Sequence, residues 1–248
     1  MYKVIAFDLD GTLTESKQKI DDKTARFLAK IALDYEVAII TGGTMKQIET
    51  QVLENLPDGI ENKLHLMSCS GAIYEKFGVL QYKYEIPKIQ REVISSVIKV
   101  TAESLGLWEE KTLGDVIEDR EAQITFSALG QRARLADKKA WDDTGNKRKS
   151  LVNALKKVFP DYSIRSGGLS SVDISQEGID KEFALKQLMK LNNINASEIL
   201  YIGDKFRPGE NDYPALVAGV TCLRVLKPED TIELTEKMLK QPHLRYIW

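Results

Sequence analysis

Two aspartates two residues apart, Asp8 and Asp10, close an apolar run near the start of the chain, in the stretch FDLDGTLTES. In extended backbone, residues i and i+2 point to the same side, so both carboxylates can face one site while Leu9 enters the core. Paired carboxylates repel unless a cation neutralises them or one keeps a proton. Both conditions suit phosphoryl transfer, in which one carboxylate attacks phosphorus beside Mg²⁺ and its neighbour passes protons as general acid and base. Three later segments offer the remaining parts. Thr41 ends the run VAIIT with a hydroxyl, and Gly42 and Gly43 let backbone N–H groups approach a phosphate oxygen. Lys181, at the head of a helical pattern, sets a positive charge where an anion is already favoured. Asp204, at the end of EILYIGD, and Asp212 close by offer hard oxygens for Mg²⁺. Each residue alone reads equally well as a turn or cap residue. Four such signals at four successive strand ends or helix starts are hard to explain as caps.

The elements that must position them alternate. Residues 3–9 have strand length, Asp21 and Asp22 precede a helix with Ala25, Leu28, Ile31 and Ala32 on one face, and EVAIITGG is a second buried strand. A helix with Ile48, Val52, Leu53 and Leu56 follows, then LHLMSCSGAIYEKFGVLQYKYEI, which reads as strands joined by glycine-containing turns. After Pro87 the pattern changes to a helix with Ile89, Val93, Val97 and Ile98 inward, strands near 115–119 and 122–129, a helix over 149–159, and strands near 162–166 and 170–174. From Asp180 the alternation resumes: a helix with Phe183, Leu185, Leu188 and Leu191, the strand EILYIGD, a helix after Asp212, the strand TCLRV, and a last helix after Pro228-Glu229-Asp230. The predicted fold is α/β, a Rossmann-like parallel-sheet core built from residues 1–83 and 180–248, with an α+β module inserted at 84–179.

Composition narrows the function class. At 248 residues, 43% hydrophobic and a net charge of −2, the chain can bury a large core and has no electrostatic footprint for nucleic acid. A small anionic substrate needs only a local positive site. No apolar stretch has the length of a signal-peptide core or a membrane span, so a cytoplasmic location and no membrane partner are expected. Cys69 and Cys222 read as reduced thiols, and the Lys147-Arg148-Lys149 run as the solvated start of a helix. His65 and His243 lack partners at metal spacing, and Trp108, Trp141 and Trp248 form no stacking array, so all five read as packing residues.

Asp8-Leu9-Asp10-Gly11-Thr12, Thr41, Lys181 and Asp204 with Asp212 resemble, in that order, the four motifs of the haloacid dehalogenase superfamily. The resemblance implies Asp8 as nucleophile forming an aspartyl-phosphate, Asp10 as general acid/base, and Mg²⁺ held by Asp8, the Asp10 carbonyl and Asp204. It also implies that Thr41 and Lys181 grip the transferring phosphoryl group, and that the insertion is a type IIB α/β cap governing substrate specificity. GGLSSVDISQEGIDK at 167–181 and GDKFRPGENDY at 203–213 are similar to segments of eukaryotic-type phosphomannomutases, which carries Ser171 and Asp173 into sugar- and phosphate-binding positions. DREAQITFSALGQ at 119–131 looks like another segment of that family and makes Arg120 a candidate phosphate contact.

Departures shift the balance between two outcomes. Gln131 stands where the family has arginine, Lys138 where the next arginine falls, Gln176 replaces a proline, and SCSGAIY lacks an asparagine before its glycine. Arginine holds a phosphate through two parallel hydrogen bonds, lysine offers a point charge, and glutamine offers no charge. Arg132 and Arg134 lie near enough to compensate. The thinner clamp favours a Mg²⁺-dependent phosphatase of small phosphorylated metabolites, with sugar phosphates foremost. The alternative is a phosphohexose mutase interconverting mannose 1-phosphate and mannose 6-phosphate. A phospho-acceptor signalling module fits less well, because receivers carry the acceptor after a later strand, where this chain has Thr41. Related caps often dimerise, which makes a homodimer through the cap an expectation of the resemblance.

Overall fold

A computed structural model describes residues 2–240. His243 and Trp248 lie outside the described residues. In chain order the elements are β1 (Val4–Phe7), α1 (Asp22–Ile31), β2 (Glu36–Ile40), α2 (Met45–Gln51), β3 (Leu64–Ser68), β4 (Ile73–Lys76), β5 (Val79–Lys83), α3 (Lys88–Ser104), β6 (Ile117–Asp119) and β7 (Gln123–Ser127). They continue with α4 (Leu135–Trp141), α5 (Asn146–Val158), β8 (Tyr162–Ser166), β9 (Ser171–Gln176), α6 (Lys181–Asn192), β10 (Ile199–Gly203), α7 (Tyr213–Val217), β11 (Thr221–Arg224) and α8 (Pro228–Lys240). The chain divides into two compact units, one made of the residues up to Lys83 and from Asp180 onward, the other of Tyr84–Ile179.

The first unit holds a seven-stranded sheet in the order β11-β10-β1-β2-β3-β4-β5. Its first five strands run parallel, and β4 and β5 add an antiparallel edge. β1 is the middle one of the five parallel strands and is buried on both faces, as its unbroken apolar sequence requires. Ile5 and Phe7 enter one core layer with Leu28 of α1 and Met238 of α8, while Val4 and Ala6 enter the other with Leu185 and Leu188 of α6. Asp21 caps α1 by accepting from the Thr24 N–H at 2.7 Å, and Asp180 caps α6 by accepting from Phe183 at 3.0 Å.

The second unit is a four-stranded antiparallel sheet, order β6-β7-β9-β8, with α3 and α5 packed on it. Strand alternation sends Ile124, Phe126, Ile164, Val172 and Ile174 into the core beneath these helices. Trp141 and Trp108 join that core as packing residues, the Trp141 indole N–H donating to Glu109 at 3.1 Å.

Several local expectations are corrected. β1 stops at Phe7, so Asp8 and Asp10 do not share an extended strand: the backbone folds at Leu9, whose carbonyl accepts N–H groups from Thr12, Leu13 and Thr14. α3 turns Ile94, Ile98 and Ala102 inward, leaving Ile89 and Val93 76% and 50% exposed; its apolar residues lie all round the helix, and spacing alone picks the wrong face. Leu191 is likewise half-exposed, because Ala184, Leu185 and Leu188 form the buried stripe of α6. Helix α4 was not expected, and the end of α2 tightens into a 3-10 turn at Leu53–Asn55. In the Lys147-Arg148-Lys149 run the lysines are exposed, but Arg148 is anchored on Asp142 at 2.8 Å and on the Gly168 carbonyl at 2.6 Å.

The bland readings of the thiols and of His65 fit what is seen. Both cysteines are buried and unbridged, and burial pushes the Cys222 thiol up to about 12. His65 is fully buried between the Tyr74 hydroxyl (2.7 Å) and the Glu36 carboxylate (2.6 Å); burial holds its imidazole below the usual range despite Glu36.

One glycine couples the sheet to α6. Gly71, at φ +93°, closes the 3-10 turn after β3, and a Cβ there would lie 2.5 Å from the Ala184 Cβ. Gly71→Ala should therefore destabilise the protein by about 2–4 kcal/mol, through left-handed strain and overpacking, measured by chemical denaturation.

Candidate active site

The ends of β1 and β10, the start of α6 and the residue before α7 converge on one buried ion cluster. The Lys181 side chain has no solvent exposure, and its Nζ donates to Asp8 Oδ1 and to Asp212 Oδ1, each at 2.5 Å. A buried ammonium is tolerable only with such partners. Asp212 is saturated: its Oδ1 also accepts from the Tyr201 hydroxyl at 2.6 Å, and its Oδ2 accepts from the N–H groups of Asp204 (3.0 Å) and Lys205 (2.9 Å). Four hydrogen bonds use the four lone-pair sites of a carboxylate. Burial opposes ionisation of Asp212, but Lys181 and these donors outweigh it and hold its carboxyl below the usual range. Burial likewise works against the Lys181 charge, and Asp212 and Asp8 more than restore it. Asp8 is pushed up to about 7 by burial, with Asp212 and Asp204 adding to the rise and Lys181 opposing it.

Two glycines make room for this cluster. A Cβ on Gly203 would lie 2.6 Å from the Asp212 carboxylate, and one on Gly11 would lie 2.7 Å from Asp204 Oδ2. The turn after β1 therefore rests directly against Asp204. Asp8, Asp204 and Asp212 each bring a carboxylate oxygen within 4.8 Å of the others, an all-oxygen set suited to a hard divalent cation. The fit is sharpest at Asp204, whose Oδ1 is buried without a hydrogen-bond partner while Oδ2 pairs with Lys205 at 3.0 Å. Asp212 belongs to the cluster by distance, but its filled lone pairs make it the residue that orients Lys181 and the Asp204 turn. The Asp10 side chain is not in this triad: its Oδ1 accepts the Lys17 N–H at 2.7 Å, which fixes the carboxyl in the turn.

Thr41 is buried just past β2, and its Oγ1 accepts the Gly43 N–H at 3.0 Å. This amends the expectation for Gly43, whose N–H is spent inside the loop; a Cβ there would strike Gln47, part of the capping box of α2. Behind the loop, Cys69 and Ser70 hold consecutive positive φ values of 49° and 58° and donate N–H groups to the Gly43 and Thr41 carbonyls, both at 2.8 Å. Strain of this kind in non-glycine residues costs on the order of 1–3 kcal/mol each and clusters at functional loops.

In the inserted unit, Ser171 and Asp173 lie on the sheet face opposite its core, with Thr125 donating to Asp173 Oδ1 at 2.7 Å. Arg120 is nearly buried and makes a forked pair with Glu118 at 2.8 and 2.5 Å. Arg132 packs along Gly114, Arg134 makes an exposed pair with Asp137 at 2.7 Å, and Lys138 donates to the Gln131 carbonyl at 3.0 Å. The structure thus unites Asp8, Lys181, Asp204 and Asp212 in one cluster and Ser171 with Asp173 on one face, and occupies Arg120, Arg134 and Lys138 with partners of their own. Sequence reading missed Tyr201, although a hydroxyl inside the apolar run EILYIG was a usable signal.

Comparisons with known proteins agree with this geometry. Phosphomannomutase 1 of Homo sapiens is 29% identical over 238 residues, 92% of this chain and 88% of that protein. The phosphomannomutase of Saccharomyces cerevisiae is 26% identical over 243 residues, 95% and 93% of the two chains. Among solved structures, an IMP-nucleotidase of Plasmodium falciparum with IMP bound matches with a TM-score of 0.69 at 18% identity, over 98% of this chain and 69% of that one. A haloacid dehalogenase-like hydrolase from Bacteroides thetaiotaomicron matches with a TM-score of 0.62 at 19% identity, over 87% and 85%. These structures share the α/β fold, and kinship with the phosphomannomutases marks the chain as an enzyme. The family model for eukaryotic phosphomannomutase matches residues 24–241, and the chain belongs to that family.

Proposed function

We propose that this enzyme is a phosphohexose mutase of the phosphomannomutase type, acting on mannose 1-phosphate and mannose 6-phosphate through an aspartyl-phosphate on Asp8. The observation that carries the reading is the buried Asp8–Lys181–Asp212 cluster with Asp204 beside it, at the strand ends of a chain whose relatives bear that name. The reading reverses the balance struck from the sequence, since kinship over nearly the whole chain weighs more than the substitutions at 131 and 138.

An Asp8 oxygen forms a bond to phosphorus as the bond from phosphorus to the sugar oxygen breaks, and the departing oxygen takes its proton from Asp10. Asp10 is suited to this because Lys17 fixes one of its oxygens and leaves the other to carry the proton. The return step runs the same bonds in reverse, with Asp10 taking the proton of the sugar hydroxyl that accepts the phosphoryl group. Lys181 has three N–H donors, two of them on Asp8 and Asp212, and the third is available to an oxygen of the transferring group. Asp212 keeps its remaining donors when Lys181 shifts towards the phosphoryl group, so the cluster needs little reorganisation. Mg²⁺, held by Asp8 and Asp204 with Asp212 behind them, would supply charge neutralisation at the phosphoryl oxygens.

A second reading, hydrolysis of sugar phosphates, is favoured by one feature: at two positions where the resemblance calls for arginine, this chain has Gln131, and Lys138 donating to the Gln131 carbonyl. The two reactions share the Asp8 half-reaction and differ only in the acceptor.

Asp8→Asn should lose essentially all turnover, and retention of more than a few per cent in a steady-state assay would exclude the covalent mechanism. Chelation should abolish activity and added Mg²⁺ restore it; Mg²⁺ should raise the thermal midpoint of the wild type but not that of Asp204→Asn. Given mannose 1-phosphate and a catalytic hexose bisphosphate, the enzyme should form mannose 6-phosphate as its main product. Free phosphate in its place would establish the hydrolase.

A further inference from the structure

β10 is an apolar strand with one phenol in it. Tyr201 is fully buried, in the core layer that β10 shares with α6. Strand register sets Ala6 on one side of it and Cys222 on the other, and these small residues leave width for the ring. Phenylalanine would fill the same space without a polar atom to desolvate, so the hydroxyl needs an account of its own.

Its acceptor gives that account. The hydroxyl donates to Asp212 Oδ1 at 2.6 Å, the same oxygen that accepts from Lys181 Nζ at 2.5 Å, and Nζ lies 5.6 Å from the centre of the Tyr201 ring. The other oxygen, Oδ2, is filled by backbone N–H groups of Asp204 and Lys205. An oxygen divided between two donors holds each less firmly than it would hold one. In the reaction proposed above, Lys181 turns from Asp212 towards the transferring phosphoryl group. Oδ1 would then lose its charged donor at a site with no solvent exposure, and an unpaired buried acceptor costs more than a typical hydrogen bond contributes. Tyr201 keeps Oδ1 paired throughout.

We infer that Tyr201 is a positioning residue for the reaction: its hydroxyl holds Asp212 Oδ1 as Lys181 turns to the phosphoryl group, and so sets how readily the ammonium is released. The inference rests on the phosphoryl-transfer reading above and deepens it, whichever acceptor takes the phosphoryl group. The compensation matters most when Lys181 has moved, so its loss falls on kcat and not on KM. The opposing view is that the hydroxyl serves the fold alone.

The test compares Tyr201→Phe with Tyr74→Phe in the full chain. Tyr74 is equally buried in the same core layer, but its hydroxyl meets His65 and Asn192, outside the cluster. Both variants are assayed on p-nitrophenyl phosphate and on mannose 1-phosphate with hexose bisphosphate, and their thermal midpoints are measured. Tyr201→Phe should lower kcat by about 10–100-fold, the scale of a hydrogen bond to a charged group, with KM changed by no more than about twofold. Tyr74→Phe should lower the thermal midpoint and leave kcat as it is. Calorimetric titration with orthovanadate in the presence of Mg²⁺, a probe of the transition state, should show affinity falling about 10–100-fold in Tyr201→Phe alone. A lowered thermal midpoint with unchanged kcat in Tyr201→Phe, or equal losses of kcat in the two variants, would overturn the assignment. So would equal vanadate affinity in the wild type and Tyr201→Phe, and this readout stands apart from the choice of substrate. If the wild type turns over the aryl phosphate but forms no mannose 6-phosphate, the mutase reading falls and Tyr201 is still judged on kcat and vanadate. If the wild type neither binds vanadate nor turns over either substrate, both fall together.

Discussion

A buried ammonium governs this architecture. Lys181 has no contact with water, and two carboxylates from distant parts of the chain must meet it for the fold to be tolerable. That demand fixes much else. Asp212 takes its remaining hydrogen bonds from Tyr201 and from the backbone after β10, which ties the Asp204 turn to the same cluster. Gly203 and Gly11 lack side chains where those carboxylates pass. The acid pair that opens the sequence is stable because a lysine 173 residues later neutralises one member and a backbone N–H holds the other.

In the proposed reading, the choice between water and a sugar hydroxyl as acceptor would fall to the inserted unit. The core cluster would serve either reaction, since the proposed attack by Asp8 and proton transfer by Asp10 are common to both. The inserted unit differs from a simple solvent shield in the chemistry of its sheet: one face is an apolar core, the other a set of serines, threonine, aspartate and arginine. The register of that face, set by β7, β8 and β9, decides which polar side chains stand next to each other.

Much of this was legible in the sequence because the core motifs sit at element ends, where turn chemistry and strand periodicity act locally. Asp8, Thr41, Lys181 and Asp204 could be found without knowing the fold, since each follows an apolar strand or heads a helix. The roles inside the cluster were less legible. Asp212 read as a metal ligand, and only three-dimensional donors showed its lone pairs to be filled. On α3, apolar residues all round the helix hid which side would be buried, and packing against β7 and α5 made that choice.

The central place of β1 bears on the order in which the protein can be assembled. β1 pairs on one side with β2, close in sequence, and on the other with β10, from Val4 against Ile199 onward. During synthesis β1 must wait until β10, which begins at Ile199, leaves the ribosome before it gains its second neighbour. The inserted unit has no such debt, since all four of its strands fall within residues 84–179. It can complete its own sheet first, while the acidic end of β1 stays open to solvent until Lys181 and β10 arrive. The Asp8–Lys181–Asp212 cluster therefore cannot close until both of its distant members have been made.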